Sequence, residues 1–262
     1  MDVSSVKIGF IGFGNMASAM ADGWIASGKV APKSLCACAG RYEALVPRCD
    51  ARGMRALPDA VAVVEASDVV VVAVKPYMIE CVLAPLAEAL MGKFVLSVAA
   101  GWDCEAYERV IPGTRHLSTV PNTPVAINEG VIACEKTSTL TDDDYELVYA
   151  LLGLLGRAVE VETRLLPVAG TVGGCSPAFI AMVIEALADA AVKHGIPRAT
   201  AYEMVSQMVA GTAKLQMATG MHPGAMKDAV CSPGGTTIRG VAELEASGMR
   251  SAFIRAIDAI EG

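Results

Sequence analysis

Charged side chains are scarce in this sequence: Asp, Glu, Lys and Arg make up 19% of the 262 residues, and the formal net charge is −7. Aromatics are only 5%. No run of Lys or Arg, and no interleaving of basic with aromatic residues, is present to meet a phosphate backbone or stack on bases, which excludes nucleic acid as a partner. The three histidines, His116, His194 and His222, do not cluster with the eight cysteines, and no Cys-x-x-Cys pair occurs. No metal site is expected. The cysteines read as reduced, mostly buried thiols, and Cys36-x-Cys38 as a pair of strand positions with one side chain on each face. Residues 1–5 carry no basic segment of the secretory type, so the expected location is the cytoplasm. One charge-free stretch, residues 165–184, has the length of a bilayer span. Pro167, Gly170, Gly173, Gly174, Ser176 and Pro177 punctuate it, and the expectation is a short helix, a loop and the start of a second helix, with no membrane partner.

What the chain has in abundance is apolar residues, 53% of the total. That surplus suggests surface buried between subunits or in a large sheet. The chain opens with Val6-Lys-Ile-Gly-Phe-Ile-Gly12-Phe13-Gly14-Asn15-Met16-Ala17, a short apolar strand followed by Gly-x-Gly-x-x-Ala and a helix over residues 16–27. In that setting the pattern is a dinucleotide fingerprint. Gly12 permits the tight turn, Gly14 lets backbone approach a pyrophosphate, and Ala17 keeps the helix close to the strand. A second strand over residues 34–39 ends in Ala39-Gly40-Arg41, with no acid before Glu43 to hold a ribose 2′-hydroxyl. Arg41 reads either as a charged fork for a 2′-phosphate, which favours NADPH over NADH, or as a solvated loop residue.

The run Asp68-Val-Val-Val-Val-Ala-Val74-Lys75-Pro76 suits a strand buried on both faces. Its Lys75-Pro76 end falls at the edge where open α/β sheets bind ligands. Residues 93–100 form another strand, ending in Ala99-Ala100-Gly101-Trp102, small residues that let a nicotinamide ring lie close. Strands over 115–120, 130–135 and 158–161, with a helix over 142–155 capped by Thr141, complete a mostly parallel, doubly wound sheet. From residue 163 the period is helical throughout. The expected division is therefore 1–162, nucleotide-binding α/β, and 163–262, all-α. A helix over 177–194 is apolar around most of its circumference, leaving Glu185, Asp189 and Lys193 as a narrow polar stripe. Such a helix calls for cover from a partner subunit. The methionines of a further helix over 197–219 are read as packing.

One polar, turn-forming stretch interrupts the helical part: His222-Pro-Gly, then Ser232-Pro233-Gly234-Gly235-Thr236-Thr237 running into Ile238, Val241 and Leu244. A helix starting there exposes unpaired N–H groups at its positive end, a cradle for a small anion such as a carboxylate. The alternative is an ordinary interhelical loop with Thr caps.

Taken together, Ile11-Gly-Phe-Gly-Asn-Met16, Ala73-Val-Lys-Pro76, Ser97-Val-Ala-Ala-Gly101, Pro121-Asn-Thr-Pro124, Glu185-Ala-Leu-Ala-Asp189 and the 222–238 stretch make the chain resemble the pyrroline-5-carboxylate reductase family over essentially its whole length. The resemblance implies an N-terminal Rossmann-type domain and an all-helical dimerisation domain, often in a larger ring of dimers up to a decamer, with an active site shared between subunits. It implies reduction of the cyclic imine 1-pyrroline-5-carboxylate to L-proline by hydride from NADPH, with NADH as the alternative donor. It places Gly12, Phe13, Gly14, Asn15 and Met16 at the cofactor pyrophosphate, and Val74, Lys75, Pro76, Ala99 and Ala100 at its ribose and nicotinamide. Ser232, Gly234, Gly235, Thr236 and Thr237 would receive the substrate carboxylate, and the Thr237 hydroxyl would lie near the ring nitrogen as the one catalytic side chain. The chain departs from the family pattern at Ser118, where Arg is common, at Ala60, where Asn is common, and in the turn Gly174-Cys-Ser-Pro-Ala178. Other readings compatible with the residues are a related imine reductase or hydroxyacid dehydrogenase, and a non-catalytic nucleotide-binding paralogue. A hydroxyacid enzyme would need a base on the long helix, where Val183, Ile184 and Glu185 stand instead.

Overall fold

The computed structural model describes residues 3–262; Met1 and Asp2, part of the amino-terminal stretch read above, lie outside the described residues. Apolar runs build the centre of the sheet: β1 (Ile8–Ile11) and β2 (Leu35–Cys38) are buried at every position. After a two-residue edge strand, β3 (Arg55–Ala56), the same holds for β4 (Val69–Val72) and β5 (Phe94–Ser97). Such strands need cover on both faces, which is the signature of parallel pairing. β1 lies between β2 and β4 in parallel register, Ile8 facing Leu35 on one side and Val69 on the other. β6 (Arg115–Pro121), β7 (Gly130–Glu135) and β8 (Gly156–Val161) extend the sheet to the order β3-β2-β1-β4-β5-β6-β7-β8. Among the described residues the β6–β7 pair alone is antiparallel.

Helices cover both faces, so the expected doubly wound architecture is present. On one face α1 (Asn15–Ala26), α2 (Tyr42–Asp50) and α7 (Asp142–Gly153) enclose a core around Phe10, Met20, Trp24, Leu45 and Leu151. On the other, α3 (Ala60–Glu65), α4 (Ile79–Leu83), α5 (Ala87–Leu90) and α6 (Cys104–Val110) enclose Val63, Leu83, Leu90, Val95 and Tyr107. Thr141 caps α7 in a reciprocal box with Asp144, as its sequence signals. Cys36 and Cys38 both lie in the second core. The expectation of one thiol per face is thus corrected: side chains two apart on a strand share a face.

A second correction concerns residues 163–193, which form one uninterrupted helical run, long and apolar enough to cross a membrane by length and composition. α8 (Leu166–Gly170) passes through a π-helical turn, Thr171–Cys175, directly into α9 (Ser176–Lys193), with no loop. Pro177 cannot donate to the carbonyl four residues back, that of Gly173. The Asn122 side-chain amide donates to that carbonyl at 3.0 Å, while its Oδ1 accepts from Val131 N at 2.9 Å. The sheet thereby supplies the bond that the proline removes.

By packing, the chain forms two compact units, Met1–Cys175 and Ser176–Gly262. α8 belongs to the first because it lies against β6 and β7. The second holds α9, α10 (Arg198–Thr219), α11 (Pro223–Ala229), α12 (Thr236–Ala246) and α13 (Met249–Glu261). α9 and α10 pack together, and Arg198 pairs with Asp189 at 2.6 Å. Yet Ala188 and Ala201 are the only buried apolar residues of this unit, while Met182, Met204, Leu215, Met217, Val230 and Ile254 are exposed. A groove of about 950 Å³ runs between α9, α10 and α11, walled by Val183, Leu187, Met208 and Met226 among others. A single copy leaves this unit without a closed core.

Candidate active site

In a parallel sheet the crevice for ligands opens at the carboxyl ends of the strands, where the order reverses. Here the reversal falls between β1 and β4, and a cleft of about 360 Å³ lies beside it. Three strand ends build its wall: Gly14, Asn15 and Met16 after β1, Val74, Lys75 and Pro76 after β4, and Ala99 and Ala100 after β5. The strand ladder carries on into these loops. Gly12 N donates to Cys38 O at 3.0 Å, Ala73 N to Ile11 O at 2.9 Å and Val98 N to Val72 O at 3.1 Å. Lys75 is the only charged side chain on the wall.

Two glycines differ in why they are glycine. Gly12 has φ +90°, and a Cβ there would sit 2.7 Å from Ala73 O, so the turn itself demands it. Gly14 has φ −83°, and no described atom lies within 4 Å of a Cβ built on it. The space it leaves free opens on the cleft. Gly14 is also the N-cap of α1 and makes no side-chain cap, so the first N–H groups of the helix stay available to a ligand. A cradle of this kind, with small residues at Ala99 and Ala100 beyond it, fits a dinucleotide: pyrophosphate at the helix start and a flat ring against the β5 end.

Phe13 and Arg41 do not line the cleft. The Phe13 side chain is buried, edge-on to Phe10 at 5.6 Å, so only its backbone can serve a ligand. Arg41 is the N-cap of α2, beyond the carboxyl end of β2, exposed and without a side-chain partner among the described residues. The β5 end is held from behind: Ser97 Oγ accepts from Tyr107 Oη at 2.7 Å and from Ala99 N at 3.2 Å. Burial pushes the Tyr107 phenol up, which keeps it a neutral donor. Ser118, in register with Ser97, is buried with its Oγ unpaired among the described residues. Ala60 opens α3, whose cap is Asp59, accepting from Ala62 N at 2.9 Å.

In the helical unit the 232–237 stretch is a turn feeding a helix. Gly235 N donates to Ser232 O at 3.0 Å, Pro233 sits at the second position, and Gly234 takes φ +68° at the third. These are the requirements of a type II turn. A Cβ on Gly235 would meet Ser232 Oγ at 2.4 Å. Because Gly235 spends its N–H on the turn, the open donors at the start of α12 are those of Thr236, Thr237 and Ile238, with no side-chain cap. Thr237 is exposed, with no hydroxyl partner among the described residues. His222 caps α11 just upstream, its Nδ1 accepting from Gly224 N at 3.1 Å. Among the described residues no group of His, Cys, Asp and Glu is arranged to hold a metal.

Sequence reasoning assigned no role to Arg48, Ser18 or Asn122. Arg48 Nη1 donates to Phe13 O at 2.6 Å and Nη2 to Ser18 Oγ at 2.7 Å. One turn on, Arg52 pairs with Asp22 at 2.6 Å. The signal was there as matched spacing: Arg48 in α2 and Arg52 in the turn just after it, Ser18 and Asp22 on α1, each pair four apart.

Comparison with known proteins follows the same division. A family model described as pyrroline-5-carboxylate reductase dimerisation matches residues 163–261, and one described as NADP oxidoreductase, coenzyme F420-dependent, matches residues 7–101. The pyrroline-5-carboxylate reductase of Treponema pallidum is 40% identical over 259 residues, covering 97% of this chain and 98% of its own. That of Escherichia coli is 41% identical over 254 residues, covering 96% and 94%. Among solved structures, the Plasmodium falciparum pyrroline carboxylate reductase with NADP bound aligns with a TM-score of 0.86 at 25% identity, over 98% of this chain and 96% of that one.

Proposed function

Because the chain belongs to the pyrroline-5-carboxylate reductase family, we propose that it reduces 1-pyrroline-5-carboxylate to L-proline at the expense of NADPH, the last step of proline biosynthesis. The observation that carries this reading within the molecule is the type II turn at 232–235, which delivers three unpaired N–H groups at the start of α12. A carboxylate there gains charge-assisted hydrogen bonds and the favourable end of the helix dipole.

Gly12, Gly14, Asn15 and Met16 bind the cofactor pyrophosphate, Phe13 through its backbone, and Val74, Lys75, Pro76, Ala99 and Ala100 hold the ribose and nicotinamide. Arg41 meets the 2′-phosphate and sets the preference for NADPH over NADH. When bound, the cofactor supplies the hydride. Ser232, Gly234 and Gly235 shape the carboxylate site and Thr236 and Thr237 donate to it; Thr237 also offers its hydroxyl to the ring nitrogen, whose single added proton makes the imine electrophilic before hydride addition at carbon completes the amine. A protonated imine is already electrophilic, so the chain's main task is alignment, an effect worth about 7–11 kcal/mol.

Residues 1–162 serve the cofactor and 163–262 the substrate and self-association. The exposed apolar faces of α9 and α10 support a homodimer as the minimal unit; a decameric ring of dimers is the larger assembly we propose. The same faces account for the apolarity of residues 163–193 without a membrane, the net charge of −7 argues against nucleic-acid binding, and the unpaired thiols suit a reducing cytoplasm. The test follows NADPH and NADH consumption in parallel, with and without 1-pyrroline-5-carboxylate. Imine-dependent oxidation that favours NADPH supports the reading. NADPH binding without imine-dependent oxidation would reduce it to a nucleotide-binding paralogue.

A further inference from the structure

The geometry points to Arg48 as the positioning residue of the cofactor loop, setting the direction of the N–H groups that receive the pyrophosphate. The inference rests on the nucleotide reading of the glycine loop given above.

Peptide units are planar and trans, and no cis bond occurs among the described residues. A carbonyl and the N–H of the following residue therefore point in opposite directions. Whatever holds the carbonyl of Phe13 fixes the N–H of Gly14, and whatever holds the carbonyl of Gly14 fixes the N–H of Asn15. Arg48 holds the first directly and reinforces the second, which α1 also holds through Ser18 N donating to Gly14 O at 3.0 Å. Its Nη1 donates to Phe13 O at 2.6 Å; its Nη2 donates to Ser18 Oγ at 2.7 Å, and that hydroxyl donates on to Gly14 O at 2.8 Å. Ser18 is buried, and the Arg48 guanidinium lies 5.2 Å from the centre of the Phe13 ring. Arg52, whose Nη1 donates to Arg48 O at 3.0 Å, is itself tied to Asp22 and steadies the helix that carries Arg48.

A planar fork reaches two acceptors at fixed angles, which a lysine ammonium cannot reproduce. Arg48 is not among the residues that line the cleft, so its positive charge favours anion binding without occupying the site. Arg48 thus acts through the loop and touches no reacting atom.

The test measures NADPH affinity by fluorescence titration with no imine present, alongside the imine KM at saturating NADPH and the melting temperature. Arg48→Gln is expected to raise the NADPH Kd by about tenfold or more, the scale of a lost charge-assisted bond. The imine KM should stay within about twofold. Arg48→Lys is expected to recover only part of the affinity, since it restores charge but not the fork. Should Arg48→Gln fail to fold, Ser18→Ala removes the relay to Gly14 O alone and is expected to raise the Kd about threefold. A lowered melting temperature with wild-type NADPH affinity, or full recovery by Lys, overturns the proposal. Because wild-type NADPH binding is the reference, loss in the variants alone speaks to Arg48, and absence of binding in the wild type speaks to the nucleotide reading.

Discussion

The two loop glycines allow a prediction that separates folding from binding. At Gly12, alanine would have to adopt φ +90°, which costs an L-residue about 1–2 kcal/mol. Its Cβ would also lie 2.7 Å from Ala73 O, 2.8 Å from Ala73 C and 2.9 Å from Val74 N. These are backbone atoms at the end of β4, so relief requires moving the strand end, at about 1–3 kcal/mol more. Gly12→Ala should therefore lose about 2–5 kcal/mol and melt about 10 °C lower at matched protein concentration. At Gly14 the backbone is ordinary, and nothing described lies within 4 Å of the added methyl. Gly14→Ala should cost no more than about 1 kcal/mol as a weakened N-cap. Yet that methyl projects into the cleft from the helix start, and NADPH affinity should fall about tenfold or more. Melting curves and NADPH titrations of the two variants decide the matter. Wild-type affinity in Gly14→Ala would refute the assignment of this loop to the cofactor, and a wild-type melting temperature in Gly12→Ala would refute the steric argument.

Thr237→Ala should lower turnover about 100-fold, as loss of an oriented donor does, while NADPH titrates as in the wild type; unchanged turnover removes Thr237 from the chemistry. Arg41→Ala should weaken NADPH by about tenfold or more and leave NADH nearly unaffected, since only the 2′-phosphate contact is lost; equal weakening of both would make Arg41 a general loop residue. Of the eight thiols, no more than Cys81, Cys175 and Cys231 should react with a disulfide reagent in the native protein, the other five being buried; labelling of a fourth before unfolding contradicts the packing. Burial pushes the Cys38 and Cys104 thiols up to about 11 and Cys134 to about 12 from the ordinary 9.0. Their folded state holds protons that the unfolded chain releases, so stability is full below about pH 9 and declines as pH rises toward 11–12. A urea midpoint that stays level from pH 8 to 11 would be evidence against those shifts.

The α/β part could be read from the sequence because its determinants are local. Four valines in a row at 69–72 suit a strand covered on both faces, and Gly12 and Gly14 are needed by the turn and the cleft in which they stand. β3 had no such signature, since its two residues, Arg55 and Ala56, are recruited only by the neighbouring β2. The 171–175 segment read as a loop because its glycines and Pro177 are breakers by local rules. The bond that keeps it helical comes from Asn122, 51 residues earlier. Arg48 was passed over for the same reason: on its own helix it is one more surface charge, and its acceptors are 30 and 35 residues away. In the helical part the unusual apolarity of α9 was legible, and the unit's lack of a buried core gives it a physical cause. The 232–237 turn was legible as a possible anion cradle, but the consumption of the Gly235 N–H, which leaves Thr236, Thr237 and Ile238 as donors, needed the backbone geometry.

The central claim is direct hydride delivery from NADPH to the imine carbon of 1-pyrroline-5-carboxylate. The most direct measurement supplies NADPH deuterated at the transferable ring position, together with the imine, and reads the mass and labelled position of the product. The account predicts L-proline carrying a single deuteron on the carbon that bore the C=N bond. Proline without deuterium, or NADPH oxidised with no proline formed, would contradict it.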